Sequence, residues 1–316
     1  MKIFQDPKTL PKKFRRAGVC IGVFDGVHLG HRALIRAMRA YCIKNKAPLG
    51  VITFYPHPRR VLRGERDFEE IITFEQKMTL FARLGVEFVA VFTFDRAFAS
   101  RTAGYFVRHS LAALLGIRAL FVGNDFVMGC DKKHARDFKR LCEKEHIIVR
   151  TVPLFKKRGS CVTSTSIRRF IKEGRMQEAE LLLGRKLFMQ GSCVPGKGLG
   201  RKIGLPTLNI RFSHELIPRA GVYSCQVRID GRTFKGALYI GKSFAQTRNE
   251  RLFYPQKQTA DAEVYVFNFD AHRYAHARKI AVRPVRFLRP PKTFTTLGIF
   301  QRQAAEDIAT IQRNVA

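Results

Sequence analysis

The sequence predicts an α/β protein built in two parts, a Rossmann-like parallel sheet followed by a small antiparallel β-barrel that ends in a helix. Three observations carry this. Short apolar runs alternate with amphipathic stretches over residues 17–154, the strand–helix–strand rhythm of a doubly wound sheet. Near residue 185 the period becomes mostly strand-like, with several antiparallel strands expected in a short span. The length, 316 residues, suits two domains of ordinary size better than one very large core. The expected division is 1–185 and 186–316.

In chain order, strands are expected at 19–24, 49–54, 88–94, 120–122 and 147–152. Between the first two, Leu34, Met38, Tyr41 and Cys42 recur at helical spacing, with Arg32, Arg36 and Arg39 on other faces. Thr73 and Gln76 form a capping box ahead of Met78, Leu80 and Leu84, so a helix is expected to begin there. Two short helices follow at 165–173 and 176–183, the second ending at Gly184. The barrel strands are expected at 222–229, 233–240, 262–269 and 280–287. Asp230-Gly231 between the first two is a good two-residue hairpin turn. A helix over roughly 299–312 closes the chain. No repeat and no low-complexity linker interrupts this order.

Composition narrows the function classes. Hydrophobic residues make up 46% and aromatic residues 11%, globular values that exclude disorder and collagen-like repeats. No apolar run approaches the roughly 20 residues of a membrane helix, and the best candidate, 111–123, is broken by Arg118. Asp6 and Pro7 stand where a signal peptide would need an apolar stretch. The seven cysteines are odd in number and scattered, without a Cys-x-x-Cys, as expected of free thiols in a reducing cytoplasm. The net charge of +33 is the outlier. It is spread over both parts, and such a field attracts nucleic acid, anionic lipid and polyphosphate alike. A merely solvated basic surface explains it equally well.

The strongest motif is Gly22-Val-Phe24-Asp25-Gly-Val-His28-Leu-Gly30-His31, where strand one passes into helix one. Ligands of a doubly wound sheet bind at that carboxyl end, and the helix N-terminus offers free N–H groups to a phosphate. Gly30 would let a phosphate approach the backbone. His28 and His31 can donate to oxygens of an α-phosphate as charge builds in the transition state. No Lys-Ser or Lys-Thr follows, so this is not a P-loop. A second constellation, Thr163-Ser164-Thr165-Ser166-Ile167-Arg168, opens a later helix and supplies hydroxyls, N–H groups and a cation for the same nucleotide. A third, Gly198-Leu-Gly200-Arg201-Lys202-Ile-Gly204-Leu-Pro206-Thr207-Leu-Asn209, reads as a loop over phosphates. Thr207 and Asn209 then offer hard oxygen ligands to a magnesium-nucleotide. Glu263, an acid among sheet residues, could take a proton from a substrate hydroxyl, although a solvent-facing strand residue reads the same way. His272 and His276 lack the acid of a metalloprotease helix. Arg59-Arg60 and Lys156-Lys157-Arg158 read as solvated clusters.

At these residues the chain resembles the bifunctional bacterial riboflavin kinase/FAD synthetase (FMN adenylyltransferase) family, from about Gly18 to Asp307 and in the family's order. The histidine motif resembles its adenylyltransferase signature. Thr53-Phe-Tyr-Pro56-His-Pro58 and Val122-Gly-Asn-Asp125-Phe-Val-Met-Gly129 resemble its flavin-side segments. Gly204-Leu-Pro206-Thr207-Leu-Asn209 resembles the kinase Pro-Thr-x-Asn motif, and 287–294 resembles a near-terminal signature. The resemblance implies a nucleotidyltransferase domain and a riboflavin kinase barrel, with ATP and Mg2+ and with riboflavin, FMN and FAD as substrates and products. It implies His28, His31 and Glu263 as catalytic. It places ATP at Gly22, Phe24, Gly30, Ser164, Thr165, Arg168, Gly198 and Gly200. Flavin falls to Pro56, Pro58, Asp125 and Arg289, and the metal to Thr207 and Asn209. No specific nucleic-acid or membrane partner is implied, and self-association is left open.

Departures keep two other readings in view. Tyr239-Ile-Gly241-Lys-Ser-Phe244 stands where the family has Asn-Ile-Gly-x-Arg-Pro-Thr-Phe, which allows an FMN adenylyltransferase with an impaired kinase half. Val127-Met128 replaces Arg-Phe, and His134 replaces a glycine. The charge allows a basic nucleic-acid-binding protein on a nucleotidyltransferase fold, although no RNA- or DNA-reading module is recognisable.

Overall fold

The computed structural model describes residues 1–62, 68–157, 159–195, 204–214, 216–241, 262–269 and 279–314. They fall into two compact units, Met1–Ser164 and Thr165–Ala316.

Six parallel strands organise the first unit. They are β1 (Lys2–Phe4), β2 (Gly18–Ile21), β3 (Leu49–Tyr55), β4 (Phe88–Thr93), β5 (Ala119–Gly123) and, after a small antiparallel pair β6 (Val127–Met128) and β7 (Lys133–His134), β8 (Ile148–Val152). A second small pair, β9 (Lys156–Lys157) and β10 (Ser160–Cys161), follows. The spatial order is β1-β4-β3-β2-β5-β8, with every neighbouring pair parallel. The winding direction therefore reverses at β2, between β3 and β5. That reversal leaves a crevice at the carboxyl ends of these strands, where a ligand can enter.

The connecting helices are α1 (Leu29–Asn45), α2 (Pro58–Leu62), α3 (Phe74–Arg83), α4 (Arg96–Ala99), α5 (Ala103–Tyr105), which runs on as a π-helix over Phe106–Leu115, and α6 (Ala135–Lys144). All four residues of β2 are buried, as a central parallel strand covered on both faces requires. The capping box of α3 forms as expected. Gln76 N–H donates to Thr73 Oγ1 at 3.2 Å, and Thr73 N–H donates to Gln76 Oε1 at 3.3 Å. Strand β2 stops at Ile21, short of the expected residue 24, because Phe24 turns to φ +56 and leaves the sheet.

The second unit holds α7 (Ser164–Lys172, entered at Thr165), α8 (Met176–Leu183), six barrel strands and a last helix, α9 (Leu297–Asn314). The strands are β11 (Met189–Val194), β12 (Leu208–Phe212), β13 (Gly221–Ile229), β14 (Arg232–Ile240), β15 (Ala262–Val266) and β16 (Ile280–Arg289). They close in the order β11-β12-β15-β14-β13-β16, antiparallel throughout. Asp230 and Gly231 have φ of +46 and +77, so the expected turn is made with two left-handed residues and sets Ile229 opposite Arg232. Alternation sends Leu208, Ile210, Leu238, Ile240, Ala262 and Val264 into the barrel. Asn209, Tyr239 and Glu263 are left half-buried on its outer face.

Three strands of the main sheet and the barrel, β1, β11 and β12, were not expected from the sequence, and neither were the two small antiparallel pairs. The expected strand 262–269 ends at Val266, ahead of Asn268 with φ +52. The sequence places the division between the parts at 185/186, where the period changes, whereas the compact units divide after Ser164. Helix α8 is fastened to the barrel by charge. Arg283 on β16 donates from Nε to Glu180 Oε1 at 2.8 Å and from Nη2 to Oε2 at 2.6 Å, and Leu187 N–H donates to Oε1 at 2.8 Å. A third Arg283 bond, from Nη1, reaches Gln226 Oε1 at 3.1 Å. Among the described residues, no helix is long and apolar enough to cross a membrane.

Both charged side chains of the Glu180–Arg283 pair are only 12% exposed, so removing one leaves the other charged and largely desolvated. Glu180→Ala is expected to cost the second unit about 3 kcal/mol, read as an earlier urea midpoint by circular dichroism. An unchanged midpoint would show that the pair contributes nothing.

Candidate active sites

The passage from β2 to α1 is a tight turn. Phe24, Gly26 and Val27 have φ of +56, +80 and +40, and residues 24–27 are all buried. Left-handed geometry is costly for Phe and Val, so the turn must be held from outside. The Phe24 ring meets Phe81 edge-on at 5.4 Å and His31 at 5.1 Å. Asp25, 2% exposed, accepts the Ile71 N–H at Oδ1, 2.9 Å, and its carbonyl accepts the Ser164 hydroxyl at 2.9 Å. Thr53 on β3 donates its hydroxyl to the Val23 carbonyl at 3.3 Å.

His28 caps α1. Its Nδ1 accepts the His31 N–H at 3.4 Å, filling the role usually given to a serine or aspartate oxygen. With that lone pair engaged, the neutral ring carries its proton on Nε2, the nitrogen able to donate to an anion. The His28 and His31 rings stack with centroids 3.6 Å apart and planes inclined by 17°. Gly30 is tightly packed here, which the sequence does not show: a Cβ would sit 3.2 Å from the His28 Cε1 and Nδ1, so the ring would have to give by a few tenths of an ångström. Two stacked imidazoles at the N-terminus of a 17-residue helix are an arrangement that can stabilise negative charge on a phosphate.

The sheet brings the other first-unit segments to the same edge. Pro56 and Pro58 follow β3, Gly22 follows β2 and Asp125 follows β5, three adjacent strands all running the same way. Asp125 is exposed, and Pro56 and Pro58 are half-buried. Ser164 is tied to the histidine turn through Asp25, while Thr165 and Arg168 come later in α7, in the second unit. Arg59 and Arg60 are not solvated, contrary to expectation. Arg59 lies over the Phe68 ring at 4.7 Å, and Arg60 Nη2 donates to the Phe68 carbonyl at 2.7 Å. The His57 ring packs on the same phenyl at 4.1 Å while its Nδ1 accepts the Arg59 N–H. Lys156 and Lys157 are exposed, as expected.

In the barrel, register assembles a second constellation. Glu263 on β15 pairs with Asn209 on β12 and, on its other side, with Tyr239 on β14. The row continues through Val222 on β13 to Arg289 on β16. Thr207 stands two residues before Asn209 on the same extended approach. The Arg289 guanidinium is bound to Asp307 of α9 at 3.0 Å from Nε and 2.6 Å from Nη2, and Nη1 donates to the Pro290 carbonyl at 3.0 Å. Burial, then the Glu263 carboxylate, push the Tyr239 phenol above its ordinary value, and Arg289 pulls it partway back. Tyr239 and Asp307 went unremarked as site residues in the sequence, and only the 239–244 departure pointed toward the first. The expected loop residues Gly198 and Gly200, the 242–244 part of the altered segment, and His272 and His276 lie outside the described residues. Among the described residues, no group of three or more His, Cys, Asp or Glu could hold a metal ion.

Two family models match the chain, one in each part. The family model for FAD synthetase matches residues 10–166, and that for riboflavin kinase matches residues 183–315. A bifunctional riboflavin kinase/FMN adenylyltransferase of Listeria monocytogenes is 32% identical over 87% of this chain and 85% of its own. Its Haemophilus influenzae counterpart is 29% identical over 98% of both chains. A solved structure described as a macrolide-efflux protein from Streptococcus pneumoniae superposes with a TM-score of 0.84 at 27% identity, covering 99% of this chain and 98% of that one.

The Gly30 contact can be tested directly. Gly30→Ala should leave helix content unchanged but push the His28 ring off its stack, loosening the Nδ1 cap. Nucleoside triphosphate affinity of the first site, measured by calorimetry, is expected to fall by about 10-fold, the loss of roughly one charge-assisted contact. Unaltered affinity with unaltered imidazole NMR shifts would show that the stack tolerates a methyl group.

Proposed function

The chain belongs to the bifunctional riboflavin kinase/FMN adenylyltransferase family, and on that premise we propose that it makes FMN from riboflavin in the barrel and FAD from FMN at the histidine turn. One observation carries this most directly. Each matched half contains its own constellation, the stacked His28–His31 pair in one and the Asn209–Glu263 register pair in the other.

For adenylyl transfer, the phosphate of FMN attacks the α-phosphorus of ATP. The new P–O bond forms as the bond to pyrophosphate breaks, and pyrophosphate leaves. The nucleophile is already an anion, so neither a base nor a covalent enzyme intermediate is needed. The barrier is charge, and the His28 and His31 N–H groups, with the α1 N-terminus, offset it on the α-phosphate oxygens. Gly22, Phe24, Gly30 and Ser164 form the ATP side in this reading, and Thr165 and Arg168, which open α7, are read as further ATP-binding residues. Pro56, Pro58 and Asp125 form the flavin side.

For phosphoryl transfer, the ribityl 5′-hydroxyl is a neutral nucleophile and needs a base. Glu263 takes its proton as the hydroxyl oxygen attacks the γ-phosphorus of ATP and ADP leaves. Thr207 and Asn209 supply two neutral hard oxygens beside it. That donor set, two neutral oxygens, would suit magnesium brought in with the nucleotide better than a resident metal. When bound, magnesium neutralises phosphate charge. Gly198 and Gly200 would cover this nucleotide. Arg289 is engaged by Asp307, which favours its supporting the flavin side of the kinase site by holding α9 in place.

The monofunctional alternative is favoured by one observation, the changed 239–244 segment. FAD formed from FMN, with no FMN formed from riboflavin, would select it. A cytoplasmic location accords with buried thiols such as Cys42 and Cys142, which lie outside any disulfide and which burial pushes up to about 11 and about 12.

Replacing both His28 and His31 by Ala should lower FAD formation from FMN by about 10²-fold or more and spare FMN formation from riboflavin. Glu263→Gln should do the reverse. Flavins separated by chromatography give both rates. Loss of both reactions from either change, in protein that still folds, would refute the two-site assignment.

A further inference from the structure

Glu263 has a neighbour on each flank. Cross-strand partners in an antiparallel pair share a face, with Cβ atoms about 4.5–5.5 Å apart. Asn209 stands on one side and Tyr239 on the other. The function proposed above uses the amide and gives the phenol no part. Yet position 239 is where the chain departs from the family pattern, and the surroundings of the phenol are built to keep it in place.

Gly241, the residue just past the end of β14, has φ +139, a conformation that L side chains rarely adopt. A Cβ there would lie 3.1 Å from the Tyr239 hydroxyl oxygen and 3.3 Å from its Cζ. The absent side chain leaves the bed in which the phenol lies. Across Val222, Arg289 ends the row, its guanidinium fixed by three bonds to the Asp307 carboxylate. The phenol therefore sits between a carboxylate and a guanidinium. The net upward shift of its pKa keeps it protonated at neutral pH, as a hydrogen-bond donor.

We propose that Tyr239 is a positioning residue of the phosphoryl-transfer site: its hydroxyl holds the Glu263 carboxylate in line with the acceptor hydroxyl when substrate is bound, and the Arg289–Asp307 clamp fixes the phenol. This rests on Glu263 acting as the base. Such a bond is free to tighten only in the substrate complex. Its loss affects kcat more than ground-state binding.

The test is a double-mutant cycle on the full chain with riboflavin and magnesium-ATP. Tyr239→Phe keeps the ring over Gly241 and removes the hydroxyl alone. It is expected to lower kcat for FMN formation by about 10-fold, with KM for both substrates changed by less than about twofold. Asp307→Asn, which loosens the clamp, should give a smaller kcat loss of the same kind. In a Glu263→Gln background, Tyr239→Phe should have no further effect, because a phenol acting through the carboxylate has nothing left to orient. Three results would overturn the proposal: an unchanged kcat in Tyr239→Phe, a raised KM with kcat intact, or losses that multiply in the double variant. Glu263→Gln with a full rate of FMN formation would instead refute the base assignment, and the positioning role with it. FAD formation from FMN should stay unchanged in all four proteins.

Discussion

One weak-looking bond sets the geometry of the first unit's site: the His31 N–H donating to His28 Nδ1. A helix start leaves its first N–H groups without helical partners, and here an imidazole takes one of them. The bond fixes the His28 tautomer and lays its ring on that of His31, and it leaves little room for a side chain at Gly30 between them. The supports of the turn follow from it. Three left-handed residues in four could not persist on their own, and the buried Asp25, bonded to Ile71 and Ser164, binds the turn to two distant segments. Placement at the carboxyl edge comes from the strand order, because β2 is the strand at which winding reverses.

The barrel solves a different problem by period-two alternation. Its inward residues are apolar and its outward residues at 209, 239 and 263 are polar, so closure of the sheet carries them into one row. Helix α9 is tied to the edge of that row through Asp307 and Arg289. Polar side chains held half-buried between a sheet and neighbouring structure keep their orientation without being wholly desolvated.

Much of this is legible in the sequence, and the limits are physical. The histidine motif is contiguous, so ten residues announce a strand end, a turn and a helix start together. Five of the six strands of the first sheet show as short, mostly apolar runs, and Thr73-x-x-Gln76 states its capping box outright. What the chain does not announce is whatever depends on register or on distant cover. That Asn209, Glu263 and Tyr239 share a row is decided by pairing between strands far apart in sequence. Arg59 and Arg60 look solvated by charge, but Phe68 arrives from later in the chain to cover them. Strand β1 has only three residues and exists because β4 offers it an edge. Strand β11 carries Gly191, where a side chain would strike the Arg211 carbonyl of the adjacent strand, so its apolar alternation is interrupted. The division of the units is hidden in the same way, since the Glu180–Arg283 pair that commits α8 to the barrel joins residues a hundred positions apart.

The two architectures match the two reactions proposed for them. Joining one phosphate to another sets anion against anion, so the demand is for donors and positive potential. A parallel α/β sheet presents helix N-termini at its carboxyl edge without further invention. Phosphorylating a neutral hydroxyl demands a base beside a nucleotide, and an antiparallel barrel supplies side chains in facing pairs at fixed separation. Exchanging the sites would fail on physical grounds. A carboxylate in place of His28 or His31, facing the phosphates, would repel both of them. An imidazole pair in place of Asn209 and Glu263 would bring stacked rings that suit a helix cap to a strand pair whose outward positions must alternate with a packed apolar face. The division of labour in this chain therefore follows from what each backbone arrangement presents to its ligand.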